Sequence, residues 1–314
     1  MTAIGSGTVL ITGPTGGLGR AATLAMASRP DGDRPDLLLV GRAGTALADV
    51  ADEARERGAI VHELGCDLSR LADVRTAASA ARELVEAGTV RPLRALVANA
   101  GLMSADTRVA SADGYELTFA VNYLAHAQLI GALLGSFTGP ARIVLLGSNT
   151  YHANLYRRLI GVPGAQWRDP VELARPATGG KSQGLGAAGV AYSNAKLAIL
   201  YYAHELQRQV GPEIAVSVYE PGWMPGTGLG REAPAAFQVI SRGIAHLPGV
   251  ATPERSGPAL AAIALDDKWA GLRDGAFVVR EKLTEVQPVA HDRDRERRLW
   301  EATAQLLETA STAA

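Results

Sequence analysis

Residues 8–19 read TVLITGPTGGLG, and this stretch decides the fold. Its apolar beginning indicates a buried strand, and residues 18–27 indicate a helix. Glycines between a strand and a helix allow a tight turn that brings the backbone close to a pyrophosphate, which the free N–H groups of the helix N-terminus attract. The stretch therefore predicts a dinucleotide-binding turn within residues 13–19.

The glycine spacing fits two patterns, which mark different branches of one superfamily. Gly13, Gly17 and Gly19 match TGxxxGxG, whereas Gly13, Gly16 and Gly19 match TGxxGxxG. Spacing alone leaves both patterns open, so the assignment depends on residues elsewhere in the chain.

Short apolar runs alternate with longer helix-like segments through most of the chain. Further strands are predicted at 37–40, 59–64, 93–97, 141–146 and 214–218, and further helices at 46–57, 71–85, 116–134 and 191–210. Apolar runs of this kind are typical of strands covered on both faces, and their alternation with helices indicates right-handed crossovers. We expect an α/β fold with a doubly wound parallel sheet.

Residues 149–190 interrupt this alternation. They are rich in glycine, proline and arginine and show little periodicity. Because helix and strand alternate again afterwards, we interpret the segment as an insertion after the fifth strand and not as a linker. The whole chain, 1–314, is then a single domain.

Composition excludes several classes of protein. The 314 residues carry a formal net charge of −1, which gives no reason to expect nucleic acid or an anionic membrane as a partner. The single cysteine, Cys66, excludes an intramolecular disulfide and a cysteine-cluster metal site, and we expect no metal. No secretion signal and no run of about 18 apolar residues is visible, so we expect a cytoplasmic protein that does not span a membrane.

The end of the second strand bears on which dinucleotide is bound. An acidic residue there would accept the ribose 2′-hydroxyl of NAD and repel a 2′-phosphate. Here the strand ends Val40-Gly41-Arg42, and no carboxylate follows until Asp49. The guanidinium of Arg42 can bind a phosphate, although a solvated surface arginine is the alternative. The sequence therefore favours NADP(H).

Tyr192 and Lys196 lie four residues apart in a predicted helix, hence on one face. A nearby positive charge stabilises a phenolate, so the tyrosine becomes usable as a general acid or base near neutral pH. Ser148 follows a predicted parallel strand, where open α/β sheets bind ligands, and its hydroxyl could polarise a carbonyl. Asn122 stands inside a predicted helix, a poor place for asparagine by propensity; a site role and simple exposure are both open.

Together these residues resemble the short-chain dehydrogenase/reductase family over nearly the whole chain. Asn99-Ala100-Gly101 matches the NAG element of that family, and Cys66-Asp67-Leu68 its adenine-contacting segment. The resemblance assigns the glycine turn to the TGxxxGxG branch, which implies cofactor contacts from Gly13, Gly17, Leu18 and Gly19. It also implies a Rossmann fold.

By this resemblance the catalytic tetrad is Asn122, Ser148, Tyr192 and Lys196. Tyr192 would exchange the proton, Ser148 would orient the carbonyl, Lys196 would hold the nicotinamide ribose and Asn122 would support a relay water. Asp67, Leu68, Asn99 and Gly101 would contact the cofactor, and Thr227 its carboxamide.

Finer similarity is to light-dependent protochlorophyllide oxidoreductases and their relatives, including retinol dehydrogenase-like members. It is carried by Gly41-Arg42, by the long insert after Ser148 and by the segment 221–229, PGWMPGTGL. Trp223 stands where protochlorophyllide reductases carry an important cysteine, which argues against tetrapyrrole reduction and for another substrate.

Aromatic residues suggest the size of that substrate. The insert carries Tyr151, His152, Tyr156 and Trp167, and residues 220–250, the expected substrate-covering loop and helix, carry Trp223, Met224 and Phe237. Large aromatic faces suit a bulky apolar or polycyclic substrate, although the same residues could pack the insert onto the body.

The expected function is NADPH-dependent reduction of a carbonyl in a small-molecule substrate, with Tyr192 as proton donor. Reduction of an activated C=C bond, non-redox cyclisation or isomerisation, and an NADP-binding regulator are the alternatives. The C-terminal run 292–298 is expected to be the solvated face of a helix that docks on its own body or on a partner subunit, which leaves monomer and homo-oligomer both open.

Overall fold

Eight strands form one sheet at the centre of the molecule. The computed structural model describes residues 7–153, 164–179, 184–224 and 250–312. The strands are β1 (Thr8–Thr12), β2 (Asp36–Gly41), β3 (Val61–Gly65), β4 (Leu93–Ala98), β5 (Phe137–Leu146), β6 (Ile214–Glu220), β7 (Ala276–Val279) and β8 (Lys282–Thr284). Their order is β3-β2-β1-β4-β5-β6-β7-β8, and every neighbouring pair is parallel except β7 and β8. The predicted doubly wound sheet is confirmed, with an antiparallel edge strand added.

Helices cover both faces of the sheet. They are α1 (Gly17–Ala27), α2 (Thr45–Glu56), α3 (Leu71–Glu86), α4 (Leu117–Ser136), α5 (Pro170–Leu173), α6 (Gly184–Gln209), α7 (Pro253–Leu265) and α8 (Arg293–Thr312). Val9 and Ile11 of β1 pack with α1, α2 and α7, whereas Leu10 packs with α3, α4 and α6. Burial on both faces explains the continuous apolar runs of the parallel strands.

The strand order places a crevice beside the glycine turn. Consecutive strands add outward from β1 to β3 on one side and from β4 to β7 on the other, so the direction of winding reverses between β1 and β4. In open α/β sheets ligands bind at the carboxyl ends of the strands at such a point. The fold therefore directs attention to the loops after β1, β4, β5 and β6.

Four elements were not predicted from the sequence: β7, β8, α5 and α7. Two are short strands, α5 is a four-residue helix inside the insertion, and α7 contains Pro258, which normally ends a helix. Packing stabilises α7, because Gly257 lets it approach α1: a Cβ there would lie 2.4 Å from that of Ala21. The helix predicted to begin at residue 191 begins at Gly184, since Gly184 and Gly186 conceal its first turn in the sequence.

The C-terminal helix α8 docks on α6 of its own chain. Docking on its own body was one of the two alternatives predicted from the sequence, the other being a partner subunit. Trp300 stacks on Tyr202 with ring centroids 5.6 Å apart. Leu299 and Leu306 are buried, and the hydroxyl of Tyr123 lies 2.5 Å from that of Thr303. The C-terminal extension is therefore part of the core of this chain.

A buried ion-pair group supports the same docking. The carboxylate of Glu296 on α8 lies 2.9 Å from Nδ1 of His204 and 2.5 Å from Nη2 of Arg208, both on α6. His204, Glu296 and exposed His291 bring three potential metal-ligand atoms within 4.8 Å. Because both oxygens of Glu296 already contact α6, this group acts as a docking contact.

Among the described residues one helix, α4, is long and apolar enough to cross a membrane. An 18-residue window of this 20-residue helix has a mean hydropathy of 1.4, but 72% of that window is buried inside the fold. It packs against α3 and α6. Burial of this kind is typical of the core helix of a soluble protein.

Candidate active site

Close contacts shape the glycine turn between β1 and α1. Gly13 and Gly17 have φ values of 65° and 50°, in the region that favours glycine. A Cβ on Gly19 would lie 2.1 Å from the carbonyl oxygen of Gly13. Around Gly16, in contrast, nothing lies within 4 Å of the corresponding position. The turn thus leaves the backbone at Gly16 exposed and open, as a cradle for a ligand requires.

Two helix N-termini are uncapped beside this cradle. α1 follows Gly16 and α2 follows Gly44; neither glycine offers a side-chain cap, and neither first turn contains an acidic residue. Free N–H groups and the positive end of the helix dipole attract phosphate. Arg42 is exposed in the loop that leads to α2. Its guanidinium and the α2 N-terminus are both positive, which suits the binding of a phosphate in addition to the pyrophosphate. These features fit a phosphorylated dinucleotide.

Asn99 ties the end of β4 to the glycine turn. Its Nδ2 donates to the carbonyl oxygens of Thr12 and Gly13 at 2.9 and 3.1 Å. The backbone N–H of Ala100 donates to the hydroxyl of Thr12 at 3.0 Å. The predicted contact residue Asn99 therefore holds the backbone of the turn in place.

Asp67 and Leu68 follow β3 and lie near the loop after β2. The Asp67 carboxylate accepts hydrogen bonds from the backbone and hydroxyl of Ser69 at 2.9 and 2.8 Å, and Leu68 is buried. Cys66 is also buried, and its backbone N–H donates to Gly41. Burial raises the pKa of its thiol to about 12, so Cys66 is an inert structural residue.

Asn122 lies in a π-helical turn, Ala120–Leu124, inside α4. Its side chain pairs with the backbone of Leu102, donating from Nδ2 and accepting at Oδ1, both at 2.8 Å. A Cβ on Gly101 would lie 3.2 Å from that Oδ1. Asn122 is fully buried, so the alternative of an exposed asparagine is wrong. Isolated π turns frequently occur at functional sites.

His126 connects Asn122 to the glycine turn, and the sequence analysis missed it. Its Nε2 lies 2.9 Å from the hydroxyl of Thr12, and its Nδ1 lies 3.2 Å from the carbonyl oxygen of Asn122. Because the Asn122 carbonyl can only accept, Nδ1 carries the proton and donates to it, and Nε2 of the neutral ring accepts from the Thr12 hydroxyl. Burial lowers the pKa of His126 to about 4, which keeps the ring neutral. Its spacing of four residues from Asn122 was the available signal.

Ser148 lies two residues after the end of β5 and is partly exposed. It caps a short 3₁₀ turn, Asn149–Tyr151, and its Oγ accepts from the backbone N–H of Thr150 at 3.3 Å. That contact occupies one acceptor position, so the hydroxyl proton can be donated to a ligand. The structure places this hydroxyl at the expected carboxyl end of a parallel strand.

Tyr192 and Lys196 lie one turn apart on α6. The Lys196 ammonium is 5.5 Å from the centroid of the Tyr192 ring and donates to the carbonyl oxygen of Leu146 at 2.6 Å. Lys196 is buried, which lowers its pKa to about 7, while the carboxylate of Glu220 opposes that shift. The Tyr–Lys pair therefore lies beside Leu146, the last residue of β5, which precedes Ser148 by two residues in the chain.

Glu220, the last residue of β6, is a second residue that the sequence analysis missed. Its Oε2 accepts from Nδ2 of Asn149 at 3.2 Å, next to Ser148. Burial raises the pKa of this carboxyl, and a hydrogen bond from Gly222 together with the charges of Arg280 and Lys196 oppose the rise. A single acidic residue at the end of an apolar run, directly before Pro221-Gly222, was the available signal.

Two aromatic residues expected near the substrate pack onto the body of the protein. Tyr151 is buried beside Phe277, and its hydroxyl accepts from the backbone of Gln287 at 2.8 Å. Trp167 packs edge-on against Tyr201 with ring centroids 4.8 Å apart. The alternative interpretation, packing of the insert, therefore holds for these two residues.

Trp223 remains a candidate for substrate contact. Its side chain is 52% exposed directly after Pro221-Gly222, at the carboxyl end of β6. His152 and Met224 are partly exposed in the same loops. Tyr156, Thr227 and Phe237, and with them most of the expected covering segment 220–250, lie outside the described residues.

Comparisons with known proteins agree with this geometry. The family model described as short chain dehydrogenase matches residues 7–157. A protein described as a candidate daunorubicin C-13 ketoreductase from Streptomyces sp. (strain C5) is 31% identical, with 95% of this chain and 91% of the relative covered. Protochlorophyllide reductase A from Oryza sativa subsp. japonica is 27% identical, with 96% and 80% covered. The recognised resemblance is confirmed.

A solved structure shows the same fold. It is a short-chain dehydrogenase from Burkholderia cenocepacia in complex with NADP, superposed with a TM-score of 0.62. The two chains are 19% identical, and 90% of this chain and 98% of the other are covered.

Proposed function

The chain belongs to the short-chain dehydrogenase/reductase family, and on that premise we propose that it is an NADPH-dependent reductase of a carbonyl group in a bulky apolar or polycyclic substrate. The observation that carries the proposal is the Tyr192–Lys196 pair beside the strand that ends at Ser148. Each residue has a separate part in the chemistry.

The dinucleotide is held by residues of the first half. The pyrophosphate fits the cradle at Gly13, Gly17 and Gly19, where the α1 N-terminus is uncapped. Arg42, beside the uncapped α2, binds the 2′-phosphate, and Asp67 and Leu68 contact the adenine. The related NADP complex supports the cofactor assignment.

Proton transfer belongs to residues of the second half. NADPH, when bound, supplies a hydride to the carbonyl carbon. The hydroxyl of Ser148 donates a hydrogen bond to the carbonyl oxygen, and Tyr192 gives that oxygen its proton. The ammonium of Lys196, 5.5 Å from the phenol ring, stabilises the phenolate that remains. Asn122, through its π turn, supports the return of a proton from water.

The proposal of a bulky substrate rests on Trp223. A half-exposed indole beside the site offers a large apolar face at which a ring system can stack. The ketoreductase description of one relative supports a carbonyl as the reduced group. The similarity to protochlorophyllide reductase favours a second candidate, reduction of an activated C=C bond.

Replacing one phenol tests the function. In Tyr192→Phe we expect the rate of NADPH oxidation with a bulky ketone to fall by about a hundredfold or more, because the proton donor is lost. NADPH binding, measured by fluorescence titration, should persist. Tyr202→Phe is the matched control on the same helix, since its buried hydroxyl makes only a 3.4 Å contact with Ala127. Full activity in Tyr192→Phe would refute the assignment, and binding without turnover in the wild type would favour the regulator.

A further inference from the structure

Glu220, at the end of β6, is a buried charged group that the proposed chemistry leaves unused. It is 6% exposed. Its Oε2 accepts from Nδ2 of Asn149 at 3.2 Å, and the backbone N–H groups of Asn149 and Gly222 also hydrogen-bond to the carboxylate. A buried carboxylate with this many donors has a fixed orientation.

Sheet register places this carboxylate beside the catalytic lysine. Lys196 donates to the carbonyl oxygen of Leu146, the last residue of β5. Leu146 is paired with Tyr219, and the N–H of Gly147 donates to the Tyr219 carbonyl at 2.8 Å. Glu220 is the next residue along β6. The ammonium and the carboxylate therefore lie at the same corner of the sheet.

Arg280 lies beside Glu220, directly after the residue of β7 that pairs with it. Its backbone N–H donates to the Glu220 carbonyl at 2.7 Å, and its φ of 58° is unusual for a residue with a side chain. A Cβ on Gly222 would lie 3.0 Å from its Nε, so glycine there makes room for the guanidinium. We call Lys196, Glu220 and Arg280 the charged corner.

We propose that Glu220 is a positioning residue of this site: its carboxylate maintains the positive charge on Lys196 and fixes the turn that begins at Ser148. Its consequence for catalysis rests on the proposed function, but the pairing itself does not. Among the described residues, the ionisable groups near Lys196 are Tyr192 on the same helix, His126 on α4 and Glu220 on β6. Before proton transfer Tyr192 holds its proton and His126 is neutral, so Glu220 is the group that supplies a negative charge.

The protonation of Lys196 is sensitive to this carboxylate because burial brings its pKa to about 7. At neutral pH a further fall of about one unit would leave only about a tenth of the lysines charged. Tyr192 would then lose the positive charge that stabilises its phenolate. By opposing such a fall, Glu220 keeps a larger fraction of Lys196 charged at neutral pH.

Lysine side-chain NMR tests the pairing directly. The chain has four lysines, and of the three in described segments Lys268 and Lys282 are exposed, so the Lys196 signal can be assigned with a Lys196→Arg variant. In Glu220→Gln we expect Lys196 to titrate about one pH unit lower than in the wild type. Glu281→Gln, an exposed carboxylate beside Arg280, is the matched control and should leave the titration unchanged.

An unchanged Lys196 titration in folded Glu220→Gln would overturn the proposal. Should that variant not fold, the reciprocal variant Lys196→Gln examines the same pair: the carboxyl of Glu220 should then titrate at higher pH in a glutamate-labelled sample. An unchanged Glu220 titration in that variant would equally overturn it.

Activity gives a second readout. In Glu220→Gln the fall of the reduction rate on the alkaline side should begin about one pH unit lower, and Glu220→Asp, which keeps the charge, should restore the wild-type limit. A uniform loss at every pH would indicate a merely structural role and contradict the proposal. The NMR titration needs no substrate, so an inactive wild type would refute the proposed function without deciding the pairing.

Discussion

The glycine turn after β1 and the charged corner at the ends of β5 and β6 both lie at the carboxyl ends of the strands of one sheet. They depend on different physical effects. The turn depends on missing atoms: a Cβ on Gly19 would lie 2.1 Å from a carbonyl oxygen. The corner depends on charges removed from water, with Lys196 and Glu220 both buried. Steric fit therefore determines the conformation of the glycine turn, and electrostatics determines the protonation of the groups in the charged corner.

The largest effect is expected from adding a side-chain atom to the glycine turn. In Gly19→Ala the added methyl must displace the backbone of Gly13, which costs about 3 kcal/mol as overpacking does elsewhere. We expect the melting temperature to fall by roughly 5 °C or more and NADPH binding to be lost. Gly16→Ala is the matched control, because its Cβ meets nothing within 4 Å, and the melting temperature of the free enzyme should stay near that of the wild type. Equal losses in both variants would contradict the steric account.

His126 lies between the glycine turn and Asn122, and its burial predicts that the stability of the fold is sensitive to acid. Its pKa is about 4 in the folded chain against 6.5 as the reference value, so the unfolded chain binds the proton first. The free energy of unfolding should therefore decrease as pH falls from about 6.5 to 4, by about 3 kcal/mol in total. In His126→Asn this part of the pH dependence should disappear, as measured by urea unfolding at several pH values. The same slope in variant and wild type would exclude His126 as its source.

The smallest effect concerns the exposed edge of the cofactor side. In Arg42→Ala we expect kcat/KM for NADPH to fall about tenfold to a hundredfold, because one charge-assisted phosphate contact is lost. The value for NADH should change little. Arg57→Ala removes an exposed arginine that pairs with Glu53 on α2 and should leave the cofactor ratio intact. A loss of equal size with both cofactors would argue against 2′-phosphate binding by Arg42.

The same contrast explains what could be predicted from the sequence. Steric requirements appear in the sequence as glycines at fixed spacing, so the turn from Gly13 to Gly19 and the strand before it could be identified without a structure. The Tyr192–Lys196 spacing is likewise local, because one helical turn determines it. Asn122 could be singled out as unusual, but not the π turn that surrounds it.

Features that depend on distant partners could not be predicted. The role of Glu220 depends on its contact with Asn149 and on the nearby charge of Lys196, and both residues come from other parts of the chain. Pro258 argues locally against a helix that packing against α1 stabilises. Tyr151 and Trp167 resembled substrate contacts until their neighbours, Phe277 and Tyr201, were known. In each case the deciding contact lies far away along the chain.

Isotope transfer tests the central claim most directly. With NADPH deuterated at the transferable position and a bulky ketone, we predict that deuterium appears on the carbinol carbon of the product, while solvent deuterium from D2O appears only at the exchangeable hydroxyl. This result would follow from hydride transfer to carbon with Tyr192 as proton donor to oxygen. Solvent deuterium fixed on a neighbouring carbon would show C=C reduction, and a product without cofactor-derived deuterium would contradict the reductase assignment altogether.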